Sequence, residues 1–127
     1  MIEDYTIEST RKTPSIKCNA ASGTITMNGN CIPEDAVGFF KPLKDWIDIY
    51  VKSAPQKTEL KIELNYFNTS TSRILLNLFR LFEGLKEEGK EFKILWIFEE
   101  DDLDMKEAGE DYQLMMNDLL ILCPTPI

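Results

Sequence analysis

The chain contains no histidine. That absence removes the commonest general base and the commonest nitrogen ligand. No His-assisted serine or cysteine nucleophile exists here, and no His-ligated zinc or haem. A switch working near neutral pH has to use another group with a shifted pKa. Positive charge is also scarce. Fourteen Lys and Arg face 22 Asp and Glu, a net charge of −8. A protein that grips a phosphate backbone needs a basic face, so nucleic-acid binding is not expected. Cysteines are few and odd in number. Cys18, Cys31 and Cys123 fit no C-x-x-C spacing and read as reduced thiols, with no metal site or cofactor implied. Cys31 as a reactive thiol is the sharper alternative, and no local motif supports it. No apolar run approaches the ~20 residues of a membrane span. The opening Met1-Ile2-Glu3-Asp4 is unlike a signal peptide, so a cytoplasmic protein away from the membrane is expected.

What is present suits a soluble globular chain. A length of 127 residues with 43% hydrophobic side chains can bury a core without disulfides, and one domain over 1–127 is expected. The acidity is local. Residues 1–64 are nearly neutral, and Asn65 to Phe82 carries only Arg73 and Arg80. Glu83 to Asp111 holds twelve acids against four lysines. The densest part is Glu99-Glu100-Asp101-Asp102-Leu103-Asp104. It reads either as a solvated loop or as a docking surface for a basic partner. A calcium loop is not expected, because Lys106 stands where that pattern needs glycine, counting from Asp101.

Periodicity predicts an α/β protein. Tyr5-Thr6-Ile7, Ser15 to Cys18 and Thr24 to Met27 read as short strands, the last stopping at Asn28-Gly29. Pro33-Glu34-Asp35 opens a helix whose apolar stripe runs from Ala36 to Val51, with Pro42 expected to kink or restart it. Leu60, Ile62, Leu64 and Tyr66 alternate with polar residues, the mark of a strand with a wet face. A second helix, with Ile74, Leu75, Leu78, Leu81, Phe82 and Leu85 as its stripe, ends at Gly89. Phe92 to Phe98 is nearly all apolar, as in a strand covered on both faces. A third helix over Met105 to Met116, weakened by Gly109, and a last strand over Leu119 to Cys123, ended by Pro124, complete the chain. The middle therefore reads strand, polar turn, helix, glycine, strand, which fits a right-handed parallel crossover. Trp46 and Trp96 read as core, and Met105, Met115 and Met116 read as core filling, with an adaptable contact surface near the acidic run as the alternative.

The polar turn is the most informative stretch. Asn68-Thr69-Ser70-Thr71-Ser72 offers four hydroxyls and an amide where a helix needs one cap. It lacks the G-x-x-x-x-G-K-[ST] pattern of a nucleotide loop. A hydroxyl at a helix N-terminus can instead receive a phosphoryl group, which gains from the dipole and from free backbone N–H groups.

The string Tyr66-Phe67-Asn68-Thr69-Ser70 resembles the Y-F-N-T-S segment of the SiaC family of bacterial regulatory phosphoproteins. Thr13-Pro14, Gly29 with Pro33-Glu34 and Phe39, Pro42 with Trp46 and Tyr50, and Trp96 are similar to family pieces in the same order. So are the acidic run Glu99 to Asp104 and Gly109-Glu110-Asp111-Tyr112. Cys31-Ile32, where the family usually has Ser-Tyr, and Thr71, where a second Ser is expected, depart from the pattern.

The resemblance implies a STAS-like (SpoIIAA-like) α/β fold with a small mixed sheet, and a non-enzymatic switch that works by changing partners. It implies Thr69 as the phosphoacceptor, Asn68 and Ser70 as shapers of the turn, and a partner protein kinase and PP2C-type phosphatase. It also implies a diguanylate cyclase as target, linking the protein to cyclic-di-GMP and biofilm signalling. Glu99, Glu100, Asp101, Asp102 and Asp104 are candidate docking residues. An anti-sigma-factor antagonist shares the switch and differs in the target. A small carboxylate-dependent enzyme using acids of Glu99 to Asp104 is the third class.

Overall fold

The computed structural model describes residues 2–126. Six strands form one sheet in the order of the sequence: β1 (Tyr5–Ile7), β2 (Ser15–Asn19), β3 (Thr24–Cys31), β4 (Lys57–Phe67), β5 (Glu91–Glu99) and β6 (Leu120–Thr125). The first three are antiparallel neighbours, and β3 to β6 run parallel. Each parallel step is bridged by helix: α1 (Ala36–Tyr50), then α2 (Thr69–Leu81) with the short α3 (Glu83–Glu87), then α4 (Leu103–Met116). Right-handed crossovers that always advance in one direction place every helix on the same face of the sheet.

Burial bears this out. Ile25 and Met27, Leu60 and Ile62, Phe92, Ile94 and Trp96 lie under the helices, while alternate residues on the same strands are exposed or half-exposed. The apolar run of β5 is therefore covered on one face only. Leu95 and Ile97 are half-exposed on the open side, which corrects the expectation of a doubly covered strand. One continuous core joins the helices to the sheet, from Ile16 at one side to Leu120 at the other.

Other local expectations change for physical reasons. β3 does not stop at Asn28-Gly29 but bulges there and runs to Cys31, with Gly29 at a φ of 126°. α1 begins at Ala36, not at Pro33, because the Asp35 carboxylate caps it by accepting from Gly38 N at 3.1 Å. Pro42 lies inside this helix without ending it. Both Pro42 and Gly38, whose carbonyl loses its partner, face water, where the lost bond is replaced. The second helix breaks at Phe82, which is buried and stacked on Phe92. Its final turn ends at Gly89, in the left-handed conformation expected of it. Pro124 is paired within β6 rather than ending it, as an edge strand permits. Gly109 is buried and allows contact rather than weakening α4: a Cβ there would lie 2.5 Å from Trp96 Cδ1 and 2.6 Å from Leu122 Cδ2.

Trp46 and Trp96 are both core residues, and both indole N–H groups are satisfied. Trp46 Nε1 donates to the Glu3 carbonyl at 2.7 Å, and Trp96 Nε1 to the Met105 carbonyl at 2.8 Å. Met105 and Met116 are buried, whereas Met115 is half-exposed.

Candidate functional site

Parallel strands bring their carboxyl ends to one edge of the sheet, where α/β proteins build their sites. Here that edge gathers the end of β3 at Cys31, the turn from β4 into α2, and the acidic turn from β5 into α4.

The turn into α2 is organised by Asn68. Its backbone is extended (φ −88°, ψ 170°), and its side chain caps the helix by accepting from Thr71 N at 3.1 Å. The same Oδ1 accepts from the Thr71 hydroxyl at 2.6 Å and the Ser70 hydroxyl at 3.1 Å. Asn68 Nδ2 reaches the Pro33 carbonyl at 3.5 Å, and Asn68 N donates to the Cys31 carbonyl at 3.2 Å. The turn is thereby tied to the neighbouring strand.

The four hydroxyls are not equivalent. Thr71 is 0% exposed and works as structure, with Cys31 Sγ 3.6 Å from its oxygen. Ser70 is committed to Asn68. Ser72 is half-buried, and its carbonyl accepts from the Tyr112 hydroxyl of α4 at 2.7 Å. Among the described residues, Thr69 alone of the four is exposed with a hydroxyl that makes no hydrogen bond. It is the first residue of α2, so its own N–H and that of Ser70 have no acceptor within the helix. Arg73 lies one turn further on the same face, is exposed, and forms no ion pair among the described residues. Arg80 is instead 3.9 Å from Glu83.

A rigid floor supports the turn. Phe67, Trp96, Tyr112 and Phe79 form a chain of edge-on and tilted ring contacts, with centroids 5.2 to 5.9 Å apart. Burial pushes the Tyr112 phenol above its ordinary range, against the opposing effect of its bond to Ser72. Burial also pushes the Cys31 thiol up to about 11, so Cys31 stays protonated and is a poor nucleophile.

A groove of about 320 Å³ runs beside Thr69. Phe67, Asn68 and Ser72 form one side, and Asp111, Tyr112 and Met115 of α4 the other. A second groove of about 430 Å³ adjoins it, sharing Phe67 and Ala108 and reaching Tyr66, Asp102 and Asp104.

The acidic run is divided among several tasks. Asp102 caps α4 by accepting from Met105 N at 3.1 Å, so it is partly a structural group. Asp104 sits in the first turn of α4, where the helix dipole favours it. Glu99 ends β5, and Glu100 N is bonded to the Thr125 carbonyl at 2.9 Å. Glu99, Glu100 and Asp101 are exposed and outside both grooves. Among the described residues no group of three or more His, Cys, Asp or Glu is gathered closely enough to hold a metal ion. No helix among them is long and apolar enough to cross a membrane. The residues that sequence reasoning did not place at the site are Cys31, Asp111, Tyr112 and Met115. The order Gly109-Glu110-Asp111-Tyr112 was the available signal, but only the packing of α4 against α2 brings it beside Thr69.

The family model for SiaC family regulatory phosphoproteins matches residues 7–123. The chain belongs to that family. The family is one of regulatory phosphoproteins. An uncharacterised protein of Pseudomonas aeruginosa strain UCBPP-PA14 is 24% identical over 112 residues, 88% of this chain and 89% of its own length. The crystal structure of apo-SiaC from Pseudomonas aeruginosa has the same fold, with a TM-score of 0.83 at 22% identity, over 96% of this chain and 99% of that one. SiaC in complex with diguanylate cyclase SiaD, of which it is the activator, aligns with a TM-score of 0.89 at 22% identity. That alignment covers 96% of this chain and 100% of SiaC. The expected STAS-like α/β architecture is therefore the one observed.

Proposed function

We propose that this protein is a non-enzymatic signalling switch. A partner kinase phosphorylates Thr69, a partner PP2C-type phosphatase clears it, and the phosphorylation state decides binding to a target such as a diguanylate cyclase. The observation that carries this reading is the division of labour in the turn. Asn68, Ser70 and Thr71 hold one another, and Thr69 is left with an exposed, unengaged hydroxyl at the positive end of α2.

The reading gives each nearby group a role. Free N–H groups at Thr69 and Ser70, with Arg73 one turn on, suit a dianionic phosphate. The phosphate adds about −1.5 to −2 charges at pH 7 on a surface facing Asp111, and leaves the core intact. Asn68 and Ser70 shape the turn. Membership of a phosphoprotein family and the fold shared with the SiaD activator support the reading. They also favour a cyclase over an anti-sigma factor as the target. Of the carboxylates of 99–104, Glu99, Glu100 and Asp101 are exposed outside both grooves and Asp102 is engaged as a helix cap, which gives no support to acid–base catalysis.

The test is co-expression of the protein with the kinase and diguanylate cyclase of its own genome. Wild type should activate the cyclase until the kinase is present, whereas Thr69→Ala should activate it with or without kinase. Equal sensitivity of Thr69→Ala to the kinase would sink the assignment.

A further inference from the structure

The two grooves beside Thr69 are one trough. They share Phe67 and Ala108, and together they lie between the end of β4 and the face of α4. Phe67, Met105 and Tyr112 are large side chains of their lining. Tyr66 and Met115 stand on the trough, 53% and 50% exposed. Large apolar side chains held this far in water beside a groove mark a contact surface, and methionine adapts readily to a partner.

Charge then selects among partners. Asp104 and Asp111 stand on the walls, and neither forms an ion pair among the described residues. Among the described residues no Lys or Arg lines the trough. The competing apolar groove lies between α1 and α2, lined by Val37, Ile74 and Leu81. Its cations, Lys41 and Lys44, are already paired with Asp45 and Asp48 at 2.8 and 2.9 Å. It therefore has little charge with which to choose.

We infer that the trough is where the target docks, and that its occupant is a protein segment carrying lysine or arginine among apolar side chains. The inference rests on the reading of Thr69 as the switch. Apolar side chains of the segment meet Met115, Phe67 and Tyr66, and its cations meet Asp104 and Asp111. A phosphate on Thr69 then stands at the rim of the occupied surface, where its bulk excludes the docked segment despite its attraction for the segment's cations. Of the five acids from 99 to 104 considered for docking, Asp104 is the free one in the trough, and Asp111 is an addition to them.

The test uses two synthetic amphipathic helical peptides, one of lysine and leucine and one with glutamate in place of lysine. Each is titrated into the isotopically labelled protein, and its backbone amide signals are followed by NMR. The basic peptide should shift signals of Phe67, Asp104, Ala108, Asp111 and Met115 first, and the acidic peptide should not. The D104N/D111N double variant should bind the basic peptide roughly fivefold more weakly, the size expected of two exposed charge pairs. Its thermal unfolding is measured in parallel to confirm that the fold is kept. Should D104N/D111N not fold, Asp111→Asn alone and the salt dependence of wild-type binding take its place. Shifts centred on Val37, Ile74 and Leu81, equal binding of the acidic peptide, or no binding would each overturn the inference. Phosphate uptake at Thr69 is read separately by mass, so failure of the docking surface and failure of the switch are distinguishable.

Discussion

The Tyr112 hydroxyl of α4 donates to the Ser72 carbonyl in the first turn of α2 at 2.7 Å. This bond joins the helix that begins at Thr69 to the helix that carries Asp104 and Asp111. It does so from a buried position, with the ring packed against Phe79 and Trp96.

Replacing Tyr112 by Phe keeps those ring contacts and removes only the hydroxyl. The Ser72 carbonyl keeps its ordinary helical partner, so the cost should be about 1 kcal/mol. Urea denaturation of Tyr112→Phe should show a lower midpoint with an unchanged slope.

Gly109→Ala should cost more. The added Cβ meets the Trp96 ring and Leu122 inside contact distance, and a buried indole cannot swing away. Overpacking of this kind costs about 1–3 kcal/mol, and the thermal midpoint should fall accordingly. Gly84, which has nothing near its missing Cβ, is the control: Gly84→Ala should be neutral or slightly stabilising.

Asn68→Ala removes the acceptor shared by Thr71 N, Thr71 Oγ1 and Ser70 Oγ. Loss of a cap costs about 1–2 kcal/mol, and the buried Thr71 hydroxyl adds to it. Asn68→Asp keeps the acceptor and places a negative charge at the helix start, so it should recover most of the stability. Chemical denaturation of the two variants side by side checks the difference.

The buried thiols make stability depend on alkaline pH. Burial raises Cys18 to about 12 and Cys31 to about 11, from an ordinary value of 9.0. The neutral thiol is favoured in the folded state, so this contribution is complete below about pH 9 and is lost as the pH rises toward 11–12. Unfolding midpoints should be flat in this respect through neutral pH and fall above 9. In the native protein Cys123, which is only partly covered, should react with a thiol reagent before Cys18 and Cys31.

Much of the fold was legible because periodicity is a local signal. The period-two strand at Leu60 to Leu64, the helix stripe from Ile74 onward and the turn at Asn68 to Ser72 were all visible in the chain. What was not legible depends on neighbours. The open face over Leu95 and Ile97 follows from strand order, and an apolar run alone does not reveal it. Gly109 reads from the sequence as a weak helix position, and only the packing of Trp96 against it gives it another role. The site divides the same way. The place of Thr69 at the start of a helix is readable from its turn. The engagement of Thr71 with Cys31, and the bond from Tyr112 to Ser72, are contacts between residues 40 positions apart.

The central claim is that Thr69 accepts the phosphate. Its most direct test is intact-mass and peptide mapping of the protein after incubation with the kinase of its own genome and ATP. Wild type and Ser70→Ala should each gain one phosphate, mapped to Thr69, and Thr69→Ala should gain none. An unchanged phosphate yield in Thr69→Ala would contradict the account.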